Sequence, residues 1–365
     1  MFTSYSVIMK KLRNILIIAV LAIFSGAGLF AWHMAIYAQN PVNPEIKEPL
    51  QVMVEPGQSF RAIAGKLRQK SLIRHPLKFR ILASFRRATT AIKAGEYYLS
   101  GTMTPGQILE QLHRGKVHLR RITVAEGLTL YEVAELAARA GICKKPAFTQ
   151  TATDPDTAEK MGIPAKTVEG YLFPETYFFE KQASPEKIIQ TMVQRFRAVF
   201  SDAWKDRAEE LGFSVHEIVI LASIIEKETG ADKERKTISS VFHNRLEKGM
   251  RLHADPTVIY GIKDFDGNLT RKDLRTRTPY NTYTNYGLPQ GPIANPGRAS
   301  LNAALYPADT PYLYFVAKPD NTHHFSTTLA EHNRAVRKYQ LNQYILPGSI
   351  LPRQVLQQVF PASQQ

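Results

Sequence analysis

The residues best suited to do chemistry in this chain are two glutamates, Glu226 and Glu228, near the end of the segment FSVHEIVILASIIEKETG, residues 213–230. A carboxyl set against apolar neighbours has its charged form disfavoured, so it keeps a proton near neutral pH and can act as a general acid. On a helical wheel Glu226 falls between Val219 and Ala222, in an apolar sector, while Glu228 points about 200° away. The two carboxylates therefore have different jobs, and Glu226 is the better-placed acid. The competing reading is structural: Glu226 ends its helix in a salt bridge with Arg235 or Arg245 of the next one.

The elements that must hold this acid are written in local patterns. Ser214 and Glu217 have capping-box spacing, and Phe213 can staple onto Ile218 one turn inside. From Ile218 to Ile225 almost every side chain is apolar, which predicts a buried helix. A second helix, from Asp232 to about Lys248 and closed by Gly249, presents Ile238, Val241, Phe242, Arg245 and Leu246 on one side. Joined through Gly230, the two helices would form one wall of a cleft.

Other residues have the composition of a polar ligand site. TPYNTY supplies Tyr280, Asn281, Thr282 and Tyr283, and Asn244 and Asp255 are further candidates for substrate contacts. Each has a plain alternative: TPYNTY reads equally as a turn followed by a strand, and Asn244 and Asp255 as caps of helices or turns. GLPQGPIANPG, residues 287–297, reads as a rigid loop that shapes the cleft. A glycosidase of the two-carboxylate type needs a second acid roughly 5–10 Å from the first, for which Glu175 and Asp255 are the candidates. His323, His324 and His332 lack a recognised ligand spacing, and with the single Cys143 there is neither an internal disulfide nor a zinc cluster. No metal or cofactor is expected.

The chain has 365 residues, 44% of them apolar, and a net charge of +15, which would attract nucleic acid, anionic lipid or acidic wall polymers alike. Topology chooses among them. Residues 15–37 carry no Asp, Glu, Lys or Arg and are long enough to cross a bilayer as a helix. Lys10, Lys11 and Arg13 precede the segment, so a short tail, residues 1–14, is cytoplasmic and the rest is exported. The run is longer than the apolar core of a signal peptide and no small-x-small cleavage site follows, which favours an uncleaved anchor. Nucleic acid then leaves the list of partners.

Residues 38–50, with three prolines, read as a linker. Beyond it VEPGQSFRAIAGKL, 54–67, and VAEGLTLYEVAELA, 124–137, form a weak repeat of strand, glycine turn and helix, capped by Ser59 and Thr129. Thr104 followed by Pro105 opens another helix, which Gly115 ends. After an aromatic segment, EGYLFPETYFFE at 169–180, one long helix is expected from about Pro185 to Glu210. The fold class is α+β.

Six blocks in order, EGYLFPETY (169–177), LASIIEKETG (221–230), VFHNRLEKGMRL (241–252), DPTVIYG (255–261), TPYNTY (278–283) and GLPQGPIANPG (287–297), resemble the endolytic murein transglycosylase family. The resemblance covers most of residues 50–345. It implies a membrane-anchored enzyme of the cell inner membrane with a small LysM-like subdomain at 51–118, a mixed α+β catalytic domain at 119–347 and a tail at 348–365. It also implies that the glutamate of the ASIIEKE block, Glu226, is catalytic, on a buried helix of that domain. Such enzymes cut glycan strands of peptidoglycan internally, between N-acetylmuramic acid and N-acetylglucosamine, without adding water, and are expected beside peptidoglycan synthases. The sequence departs from the family pattern at His253-Ala254, where a glutamine is usual, and at Gln290, where proline is common. A non-catalytic anchored wall-binding protein and a muramidase are the alternative readings.

Overall fold

The charge-free stretch after Arg13 folds as part of one helix, α1 (Phe2–Gln39), in a computed structural model that describes residues 2–55, 57–89, 92–228 and 231–341. From Arg13 to Gln39 this helix is long and apolar enough to cross a membrane, and Ile15, Leu16, Phe24 and Leu29 stand exposed along it. Gly230, the expected joint between two helices, and the expected tail 348–365 lie outside the described residues.

The chain divides into two units, one running through Arg120 with residues 180–182, the other from Arg121 to Phe179 and onward from Ala183. In the first unit β1 (Leu50–Val54), α2 (Phe60–Gln69), α3 (Pro76–Phe85) and β2 (Gly95–Leu99) follow in order, with α4 (Pro105–His113) after them. The strands pair antiparallel from Leu50 with Leu99 to Val54 with Gly95. The core comprises Val52, Ile63, Leu67, Phe79, Tyr97 and Leu109, and Met34 and Ala38 of α1 are buried in it. The expected linker is not free: Asn43 donates from its backbone to Gly101 O and from its side chain to Ser71 O, and Ser100 Oγ donates to Ile46 O.

The strands β3 (Leu119–Thr123) and β4 (Thr176–Glu180) run through the points of division, and the second unit carries α5 (Leu130–Arg139), α6 (Lys145–Ala152), α7 (Pro155–Lys160), α8 (Pro185–Val199), α9 (Asp202–Glu210), α10 (Val215–Glu228) and α11 (Asp232–Glu247). It continues with α12 (Asp255–Tyr260), α13 (Arg271–Arg275), α14 (Arg298–Leu305), β5 (Tyr314–Ala317), β6 (His323–Ser326), α15 (Leu329–Val336) and a π-helical turn, Arg337–Leu341. β3 pairs with β4 and β5 with β6, so helices dominate a mixed α+β architecture.

Helix α10 occupies the centre. Its capping box is formed, with Ser214 N–H donating to Glu217 Oε2 at 2.8 Å and Glu217 N–H to Ser214 Oγ at 3.2 Å. Every residue from Ile218 to Ile225 is buried. At about 1.5–3 kcal/mol for each large aliphatic side chain removed from water, this is the anchor of the unit. The repeat appears as matched local geometry: Gly57 and Gly127 both take positive φ, and Ser59 and Thr129 both accept an N–H three residues on.

The single helix expected from Pro185 to Glu210 is two. The chain leaves helical geometry at Phe200 (ψ 83°), whose ring is buried between those of Phe196 and Trp204, and restarts after Ser201. A helix-compatible sequence is broken here by tertiary packing of one aromatic. The strand proposed to follow the TPYNTY turn is absent; residues 279–288 are turns and bends.

Gly170 shows how closely the pieces approach. It has φ +86°, and a Cβ placed on it would come within 2.6 Å of Pro292 Cβ and 2.7 Å of Val219 Cγ1. Gly170→Ala should therefore destabilise the protein by about 2–4 kcal/mol, the sum of overpacking and backbone strain, in denaturant unfolding of the detergent-solubilised chain.

Candidate active site

Three segments converge on α10: the turn after β3, the segment 168–172, and the loop 287–297. The loop is fastened to the helix by Ser223, whose Oγ accepts the Ile293 N–H at 3.0 Å and donates to Ile220 O at 2.7 Å. Asn295 fastens it to the other two. Its backbone pairs both ways with the β3 turn, accepting from Gly127 N–H and donating to Leu128 O, each at 2.9 Å. Its side chain accepts from Leu172 N–H and donates to Leu128 O and Glu169 Oε1.

Glu169, only 1% exposed, sits at the centre of this junction. It accepts from Leu130 N–H at 3.0 Å and from Tyr260 OH at 3.0 Å as well as from Asn295. Burial pushes its pKa up to about 7, against the pull of those donors.

The fastened loop ends at Gly297, the N-cap of α14, whose N–H donates to Glu226 Oε2 at 2.9 Å. On the other oxygen, Arg235 Nη2 of α11 lies 3.7 Å from Glu226 Oε1, with both side chains less than 8% exposed. Arg235 is held in turn by Asp232. The salt bridge considered from the sequence is thus present, with Arg235 rather than Arg245, and it leaves the Glu226 carboxyl on a buried helix with a backbone N–H on its other oxygen.

A further carboxylate stands beside it. Glu126, in the β3 turn, lies against Gly297 so closely that a Cβ there would sit 1.7 Å from Glu126 Oε1. Glu126 remains open to solvent on one side, yet its pKa is raised, first by partial burial and next by the charge of Glu226, with Arg235 acting the other way. Sequence reasoning passed over Glu126, which sits inside the second repeat copy one residue before its glycine; that position in an otherwise structural turn was the available signal.

Glu228 faces elsewhere, as its wheel position requires. Burial, then the charge of Asp255, pushes its pKa up to about 8, with Arg245 opposing. Arg245 donates to Leu313 O and Leu252 O and lies 5.3 Å from the Tyr314 ring centroid. Asp255 accepts from Tyr283 OH at 2.6 Å, and Tyr283 stacks on His253 at 4.7 Å. His253 has φ +49° and a pKa pushed down to about 4 by burial and the two nearby arginines, so its ring is neutral near pH 7.

The remaining sequence candidates are placed as follows. Asn281 is wholly buried; its amide donates to Asp273 O, Leu274 O and Thr276 O, and its Oδ1 accepts from Tyr283 N–H. Asn244 donates to Thr310 O and Tyr312 O. Tyr280 packs edge-on to Tyr260 at 4.8 Å. Glu175 is exposed and ion-paired with Arg195. His323 bonds Glu234, and His332 stacks on Tyr314.

The family profile described as YceG-like matches residues 52–338, most of the chain. The chain belongs to the YceG-like family. It is 35% identical over 319 residues to a Bacillus subtilis (strain 168) protein named endolytic murein transglycosylase, covering 82% of this chain and 87% of that one. A Streptococcus pneumoniae (strain D39 / NCTC 7466) protein of the same name is 26% identical over 87% of this chain and 63% of its own length. A crystal structure of a yceG-like protein from Listeria monocytogenes superposes with a TM-score of 0.55 at 37% identity, covering 79% of this chain and 99% of that one.

The buried Glu169 gives this family member a pH signature. Its folded-state pKa of about 7 lies above the ordinary 4.5, so the folded protein binds more protons between those values. Stability from this group is full below about pH 4.5 and declines as pH rises toward 7, by up to about 3 kcal/mol. Denaturant unfolding at pH 5 and pH 8 should show a smaller decline in Glu169→Gln than in the wild type.

Proposed function

We propose that the protein is an endolytic lytic transglycosylase of peptidoglycan, with Glu226 as its acid and base. The observation that carries this reading is Glu226 itself: a carboxyl withdrawn from water on a buried helix, with a backbone N–H on one oxygen and a guanidinium near the other. The names of the relatives support the substrate class.

The chemistry needs one carboxyl twice. Protonated Glu226 donates to the glycosidic oxygen as the bond from C1 of N-acetylmuramic acid breaks. As carboxylate it then accepts the proton of the muramic C6 hydroxyl while O6 closes onto C1. The proton leaves and returns, no water is added, and the product carries an anhydromuramic end. Gly297 N–H and Arg235 stabilise the intervening carboxylate, which is the role of preorganised donors where charge develops.

Of the expected substrate contacts, Asn281 and Asn244 are better assigned to holding the cleft walls, because their polar atoms are engaged with backbone. Tyr280 and Tyr283 offer ring faces, with Asp255 orienting Tyr283. In this reading α1 anchors the enzyme in the cell inner membrane, with its Lys10–Arg13 end cytoplasmic and both units exported. The strand–helix–helix–strand order of the first unit supports a LysM-like subdomain that holds glycan, and cutting nascent strands would limit their elongation beside a peptidoglycan synthase.

A muramidase is the second reading, because Glu126 brings a second carboxyl to the surroundings of Glu226. Mass spectrometry of fragments released from purified peptidoglycan separates the two. Anhydromuramic ends are expected from the wild type, with a loss of about 10²–10⁴ in rate for Glu226→Gln. Reducing ends would assign hydrolysis, and full activity in Glu226→Gln would remove the acid.

A further inference from the structure

Two groups of the site complement a negative charge on Glu226. Its carboxylate accepts the N–H that opens α14, and Arg235 faces its other oxygen. An acid so placed needs a counterweight if it is to begin the reaction protonated. Glu126 is the group positioned to supply one, since its carboxylate and that of Glu226 both lie against Gly297, the first at its Cα and the second at its N–H. Glycine at 297 is what lets them meet: any side chain there would occupy the place of the Glu126 carboxylate.

We infer that Glu126 is a positioning residue for the acid, its negative charge at Gly297 offsetting that of Arg235 at the Glu226 carboxyl. The inference rests on the reading of Glu226 as the acid. The other groups around the pair are accounted for. From α11, Arg235 and Asp232 face it and pair with each other; from α10, Lys227 directs its ammonium to Gly127 O at 3.2 Å. Glu228, Asp255 and Arg245 form the separate cluster already described. The pKa of Glu126 is raised first by its partial burial and next by the negative charge of Glu226, which places the two charges within reach of each other. Because Glu126 is partly exposed, water screens part of the effect. A sugar bound over it would remove that screening.

The test is the pH profile of kcat/KM for anhydromuramic product release by the full-length protein in detergent, with thermal unfolding recorded alongside. Activity requires the proton, so its alkaline limb reports the loss of that proton. Glu126→Gln removes the like charge and should move this limb to lower pH, by about 0.5–1 unit, with the anhydro product and the unfolding temperature retained. Glu126→Asp, which keeps the charge, should leave the limb near its wild-type position. Arg235→Gln removes the opposing cation and should move it to higher pH, an independent check should Glu126→Gln fold poorly. A limb unmoved in Glu126→Gln, or activity merely scaled down at every pH, would overturn the inference while leaving Glu226 as the acid. Abolition of activity at all pH values in a folded Glu126→Gln would also overturn it, by making Glu126 a direct participant. Wild-type protein that yields no anhydromuramic ends would instead fail the underlying functional reading.

Discussion

Everything around Glu226 depends on how one proline- and glycine-rich loop is tied down. Asn295 exchanges backbone hydrogen bonds with the β3 turn in both directions, and its side chain bridges that turn to the segment 168–172. Ser223 ties the same loop to α10 at Ile293. Each buried bond adds only about 1 kcal/mol net, but leaving a buried partner unmet costs about 1–3, so the loss of one member is felt by its neighbours. Its output is positional: it brings Gly297 N–H to Glu226 and the Glu126 carboxylate to Gly297.

The same backbone framework lets one helix carry two glutamates in unlike surroundings. Glu226 meets an N–H, a guanidinium and another carboxylate, whereas Glu228 is enclosed near Asp255 and Arg245, where burial dominates. Two residues of helical pitch suffice to separate them. Glu228 lies instead near the network of Asp255, Tyr283 and His253, in which the neutral His253 ring stacks on Tyr283.

What the sequence made legible was local. The capping box at Ser214, the buried run from Ile218 to Ile225 in α10, the different surroundings of Glu226 and Glu228, and the repeated glycine turns at Gly57 and Gly127 follow from spacings of a few residues, and all appear in the structure. What stayed hidden was set by contacts far along the chain. Glu126 comes near Glu226 across 100 positions, and α8 and α9 part because Phe200 turns into the hydrophobic core. The alternatives of catalytic acid and salt bridge for Glu226 could not be separated by pattern, because an ion pair to Arg235 and the burial that suits an acid occur at the same side chain.

The central claim is that Glu226 serves alone, giving its proton and taking one back while the sugar's own hydroxyl does what water does in a hydrolase. Digestion of peptidoglycan in ¹⁸O-enriched water tests this directly, by the mass of the new muramic end. The account predicts an anhydro end with no ¹⁸O, at every pH where the enzyme is active. An end carrying one ¹⁸O atom would contradict it, and would make the neighbouring Glu126 the second carboxyl of a hydrolase.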